Sequence, residues 1–235
     1  MKTMAAMNDR RADRQDAYIC DFILSIGVHC GPAINLRSNH LRSFSAPFDW
    51  MMEYSLDTVL HLFKEGFNDF FSQYEIDQDN PEGAVGMLRV NDTRNHIVSI
   101  HHFLKDMRMD SSYPRFIDKM NARKNRLESL LQNASSICLM ADRSDTREDL
   151  LSFLKSFSNL YPHLRIRLVN MRYDESMAYK NYKKETIFDD HRLSYIEYLF
   201  NDAHQGVREL ESYAFVWSQI LSEYNTSDLP KKEMI

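Results

Sequence analysis

Hydrophobic positions along this chain switch between two periods, and each switch predicts an element. Tyr18–Val28 is a nearly unbroken apolar run containing Gly27, the pattern of a buried strand. Pro32 then opens a short helical pattern through Asn35, Leu36 and Leu41, since proline suits a first helical turn. A turn-rich aromatic stretch, Ser43–Trp50, follows. Ser55 is placed to cap an amphipathic helix whose Leu56, Val59, Leu60 and Phe63 share a face before Gly66. Residues 77–95 hold Asp79-Asn80-Pro81-Glu82-Gly83 and read as a loop. A second strand is expected at His96–Phe103, and a long helix at Tyr113–Leu131 with Phe116, Met120, Leu127 and Leu130 at helical spacing. Ser136–Ala141 is a short apolar run fit for a buried strand, Thr146 can cap a helix to about Leu160, and Arg165–Met171 is a fourth strand. Residues 172–190, polar and rich in tyrosine and lysine, read as a loop over a site. Helices over 189–202 and 206–224 close the domain.

Strands alternating with helices predict an α/β domain. The expected plan is a mostly parallel central sheet of about four to five strands flanked by helices, with a helix-rich C-terminal part. Residues 1–17 read as a polar tail, 18–225 as one domain and 226–235 as a second tail. Sites in such sheets form outside the carboxyl ends of the strands. Cys30, the His101-His102 pair and Asp142 each follow or end an expected strand, so parallel strands would bring all three to one edge.

Composition narrows the picture. At 235 residues, with 43% hydrophobic and 27% charged residues, the chain can bury a substantial core. Its net charge of −5 and scattered basic residues give no nucleic-acid footprint. Three cysteines do not make a disulfide framework. The first residues lack the apolar region of a secretory signal, and no apolar run reaches the length of a membrane span. A reducing, cytoplasmic setting is the expectation, with no nucleic acid and no membrane among the partners.

Cys30 is the centre of the candidate chemistry. It stands where a strand gives way to a helix N-terminus, and unpaired N–H groups with the helix dipole favour a thiolate there. Its ordinary alternative is a small buried hydrophobe. A nucleophilic cysteine needs a base and a group that orients the base. His101 or His102 could serve; strand side chains alternate, so only one faces a given side, and the pattern does not choose. His29 ranks lower as a base, because neighbours at a strand–helix turn diverge, and with Trp50 it is grouped among substrate contacts. Asp142 could accept a second ring N–H as in a triad, against a plain role pairing with Arg143 or Arg147. Asp49 is the competing orienter. Lys119, Arg123, Lys124 and Arg126 on the long helix form a solvated face or a clamp for an anionic substrate, with Arg123 and Arg126 the substrate contacts chosen. His29, Cys30, His101 and His102 lack metal-ligand spacing, so no metal is expected. Gly27 and Gly31 without a Walker lysine do not make a phosphate loop.

The run Ser25–Ala33 with its Gly-x-x-Cys, then Leu36, Leu41-Arg42, Ala46-Pro47-Phe48-Asp49-Trp50, His101-His102-Phe103 and a basic helix with Lys119, Arg123 and Arg126, resembles a bacterial family of unknown function labelled as papain-like cysteine peptidases. The resemblance covers residues 20–145. It implies a Cys/His site with Cys30 and His101 as the best matches, and a papain-like α+β fold as the alternative architecture. A more distant similarity is to capsule-biosynthesis acetyltransferases that bind coenzyme A, where His29 stands in place of an asparagine. The expected function is therefore a cysteine-dependent hydrolase acting on an acyl or amide bond of a small-molecule, glycan or peptide substrate, with no cofactor required. The alternatives are a coenzyme A-dependent acetyltransferase in surface-polysaccharide synthesis and a non-enzymatic carbohydrate- or protein-binding module, the latter suited by Tyr173, Tyr179 and Tyr182.

Overall fold

In the computed structural model, residues 17–203 and 213–227 are described. The expected tail at 1–17 lies almost wholly outside them, as do residues 228–235 of the C-terminal one. The first apolar run divides at Asp21 into β1 (Tyr18–Cys20) and β2 (Phe22–Ser25). Then come α1 (Gly31–Ser38), β3 (Met51–Met52), α2 (Leu56–Lys64), β4 (Tyr74–Ile76), β5 (Met87–Asp92) and β6 (Ile97–Leu104). The chain continues through α3 (Met109–Asn133), β7 (Ser136–Ala141), α4 (Arg147–Leu160), β8 (Arg165–Tyr173), β9 (Tyr182–Asp189), β10 (Leu193–Phe200), α5 (Tyr213–Leu221) and β11 (Tyr224–Thr226).

Among the described residues the architecture is mixed α/β with three sheets. Five strands run in the order β2-β7-β8-β10-β9, four in the order β3-β6-β5-β4, and β1 pairs with β11. In the five-stranded sheet β2/β7, β7/β8 and β8/β10 are parallel and β10/β9 is antiparallel. Alternation along the buried strands sends side chains into two cores. Phe22, Leu24, Ile137, Leu139, Ile166 and Leu168 face one side, where α2, α3, α4 and the four-stranded sheet pack. Ile23, Cys138, Met140, Val169, Met171, Ile196 and Tyr198 face the other, against Leu36 of α1 and Val216, Trp217 and Ile220 of α5.

Two caps follow the residues that suggested them. The Ser55 side chain accepts the Thr58 N–H, and Thr146 accepts that of Asp149. Other expectations are corrected. Residues 182–189 are strand β9, not loop: they pair along β10, and the exposed Lys183 and Lys184 suit a sheet edge. Residues 193–200 are strand β10, not helix. The run LSYIEYLF is buried on both faces between β8 and β9, and periodicity alone does not separate such a strand from a buried helix. The C-terminal part is thus rich in strands, Thr226 belongs to β11, and β5 falls within the stretch read as loop. Of the helix expected at 206–224, Tyr213–Leu221 is helical and residues 204–212 lie outside the description. The largest correction concerns β6. It pairs antiparallel with β3 and β5 in the separate four-stranded sheet, so His101 and His102 do not end a strand of the parallel sheet.

Candidate active site

Cys30 and Asp142 do share an edge. β2 and β7 are parallel neighbours, with Ile26 N donating to Met140 O at 2.9 Å, and Cys30 and Asp142 lie just beyond their carboxyl ends. After β2 the chain enters α1, whose Leu36 joins one core; after β7 it enters α4, whose Leu150 and Phe153 join the other. Helices leaving neighbouring strands for opposite faces open a crevice, the place where α/β sheets bind ligands.

Two glycines shape this crevice. A Cβ on Gly27 would lie 2.5 Å from Pro32 Cγ, so its absence lets α1 pack down on β2. A Cβ on Gly31 would lie 2.6 Å from His29 Cε1, so its absence lets the imidazole fold back over the helix start. There Gly31 N donates to His29 Nδ1 at 3.0 Å, and His29 Nε2 lies 3.3 Å from Asp142 Oδ2. With Nδ1 accepting, the neutral ring carries its proton on Nε2, toward the carboxylate. The Oδ2 contact is in ion-pair range but off hydrogen-bond alignment, and Oδ2 is buried with no hydrogen-bond partner among the described residues. Arg143 and Arg147, the plain partners considered for Asp142, are occupied by Asp145 and by Glu185 and Glu197.

Cys30 is the N-cap of α1 and is partly buried, while Cys20 and Cys138 are fully buried. The expectation of a ready thiolate is corrected. Burial pushes the Cys30 thiol above its ordinary range, against the opposing pull of its own backbone N–H. The group is a thiol that requires a base.

The two strand histidines separate. His102 turns toward α3, with Nδ1 2.9 Å from Ser99 Oγ and its ring edge-on to Phe116. Burial, then Arg123 and Lys119, push its pKa down to about 3. An imidazole so deeply committed to the neutral form is a poor proton carrier, which removes it as the base. His101 turns the other way, edge-to-face with Trp50 at 5.4 Å. Its Nε2 is buried with no hydrogen-bond partner among the described residues, and burial lowers its pKa. Asp49 does not orient either ring. It is buried, takes Arg42 Nε and Nη2 at 2.9 and 2.6 Å, and accepts the Ala46 N–H at 2.9 Å, closing the turn before Trp50. Burial raises its pKa, against the pull of Arg42.

The structure thus forms two groups. His29, Cys30 and Asp142 lie at the β2/β7 crevice; Trp50, His101, Asp49, Arg42 and Arg123 lie at the β3/β6 edge. Glu53 N donates to Val28 O at 3.0 Å, tying the second group to the turn that carries Cys30. Arg126 is partly buried beside Arg123. Sequence reasoning missed Arg37, held Arg42 only as part of the family motif and without a role, and ranked His29 by its chain neighbour alone; Gly31, two residues on, was the available signal. Among the described residues no three His, Cys, Asp or Glu side chains gather as metal ligands, and no helix is long and apolar enough to cross a membrane.

Residues 21–176, which span both groups, match the family described as "Putative papain-like cysteine peptidase (DUF1796)", and the chain belongs to that family. It is also 34% identical over 64 residues to "Uncharacterized protein R408" of Acanthamoeba polyphaga mimivirus, a match covering 26% of this chain and 29% of the viral protein. No solved structure matches.

Proposed function

We propose that this protein is a cysteine-dependent hydrolase of an acyl or amide bond, with Cys30 as nucleophile and His101 as base. One observation carries the reading: a partly exposed thiol caps a helix at the crevice between β2 and β7, beside a histidine–carboxylate pair. His101 is chosen as base because a base needs a free lone pair: among the described residues its Nε2 has no hydrogen-bond partner, whereas the lone pair of neutral His29, on Nδ1, already accepts from Gly31 N. The His29–Asp142 pair fixes the turn that presents Cys30.

In the reaction, Sγ bonds to the acyl carbon as its proton passes to His101, and a tetrahedral oxyanion forms. Gly31 N is committed to His29, Pro32 has no N–H and Ala33 is fully buried, so the oxyanion donor is the amide of Cys30. Collapse expels the amine or alcohol, which takes the proton from His101, and leaves a thioester. Water, deprotonated by the same imidazole, then cleaves the thioester and restores the thiol.

The test is p-nitrophenyl acetate turnover, a generic acyl transfer. Cys30→Ala should abolish turnover above background. His101→Gln should lower kcat by roughly a hundredfold or more, the usual worth of a general base. Cys30→Ala with undiminished activity sinks the reading, and loss on His29→Gln but not on His101→Gln reassigns the base.

A further inference from the structure

The segment from α1 to β3 gathers cations around one indole. The Arg37 and Arg42 guanidinium carbons lie 5.5 and 5.7 Å from the Trp50 ring centroid, and His101 meets the same ring. Arg123 reaches in from α3, its Nη1 3.5 Å from Ala46 O. Asp49 is the carboxylate set against Arg42 and Arg123, and Arg42 takes it with two nitrogens while a third contact goes to Ser45 Oγ at 2.8 Å.

Positive charge is therefore in surplus. Among the described residues Arg37 meets Trp50 but no carboxylate. Arg123 is partly buried with one long bond to a carbonyl, although a guanidinium carries five N–H donors. A partly desolvated cation short of acceptors, as Arg123 is, is costly unless something supplies them. The buried His101 Nε2 is a further unmet polar atom beside the same ring. Trp50 itself has φ +73°, a strained value for a bulky residue and one that recurs at ligand clamps. Its ring holds the guanidinium groups by cation–π attraction, which readies them for a planar or tetrahedral anion.

We infer that Arg37, Arg42 and Arg123, arrayed about Trp50, form a subsite for a carboxylate or phosphate group carried by the substrate. The word substrate rests on the reading of Cys30 given above; anion binding does not. Arg37 stands two turns along α1 from the Cys30 cap, about 10 Å at 1.5 Å per residue. The anionic group is thus several bonds from the carbon that is attacked, which selects extended acidic acyl compounds over simple esters.

The experiment titrates the full chain with inorganic phosphate and, separately, acetate, at ionic strength held constant with sodium chloride. Tryptophan emission is followed, with Trp50→Phe as the blank that leaves only Trp217. A saturable change is expected with at least one anion and absent from the blank. Phosphate alone would assign a phosphoryl group and acetate alone a carboxylate, either in support. Arg123→Gln and the exposed Arg37→Gln should each weaken binding by about tenfold, equivalent to about 1.4 kcal/mol. No saturable change with either anion, or parental affinity in both arginine variants, overturns the subsite. Cys30→Ala should bind anion as the parent does while losing turnover of p-nitrophenyl acetate; turnover that survives Cys30→Ala counts against the hydrolase alone, and no saturable anion change in a parent whose turnover depends on Cys30 counts against the subsite alone.

Discussion

His29, His101 and His102 are the same side chain with three capacities, set by their neighbours. His29 accepts from Gly31 N and faces Asp142 with its other nitrogen, His102 is sunk against Phe116, and His101 keeps a nitrogen with no hydrogen-bond partner among the described residues. Cys30 shows the same dependence, because burial holds it as a thiol. Its alkylation by iodoacetamide should therefore outpace that of buried Cys20 and Cys138, yet keep rising beyond the ordinary thiol pKa of 9.0. A rate already flat near neutral pH would show a thiolate and contradict this. Gly31→Ala should push the His29 ring off Asp142 and cost about 1–3 kcal/mol, the scale of overpacking. Urea unfolding gives the loss, and unchanged His29 ring resonances would refute the displacement. At this scale Cys30 and Asp142 were legible from their places after apolar runs. The partner of His29 was not, because a contact made by a missing Cβ leaves no trace in hydrophobic patterning.

Helices with one buried face and a cap were readable: α2 and α4 begin where Ser55 and Thr146 allow. β7, buried on both faces, was readable from its short apolar run. β10 was not, since it too is buried on both faces and carries no period-two signal, while Ser194 and Glu197 interrupt its apolar run, and β9 hid behind edge lysines. Between elements, the seating of α1 on β2 hangs on Gly27. Gly27→Ala would set a methyl 2.5 Å from Pro32 Cγ, lift the helix start, and cost about 1–3 kcal/mol. Activity toward p-nitrophenyl acetate should fall with it, since α1 carries the Cys30 cap. Full activity in Gly27→Ala would separate α1 from the chemistry.

For the molecule as a whole, the decisive fact hidden from sequence was sheet membership. Which strands share a sheet depends on long-range pairing, so β6 could be recognised as a strand while its neighbours could not. The same burial that excludes His102 from proton transfer ties it to global stability. A histidine whose pKa falls from 6.5 to about 3 binds fewer protons folded than unfolded. Its stabilising contribution is intact above about pH 6.5 and drains away as pH drops toward 3. Urea midpoints at pH 7 and 4.5 should differ more in the parent than in His102→Gln, and equal differences would deny the linkage. A last consequence follows from β1 lying parallel to β11, with Tyr18 opposite Tyr224 and Cys20 opposite Thr226. The chain enters this ribbon at one end and leaves it at the other. Tension applied through the flanking segments would load its hydrogen bonds together, in shear, instead of peeling them one by one. The ribbon is then a latch against mechanical extraction, holding until its three residue pairs fail in a single event.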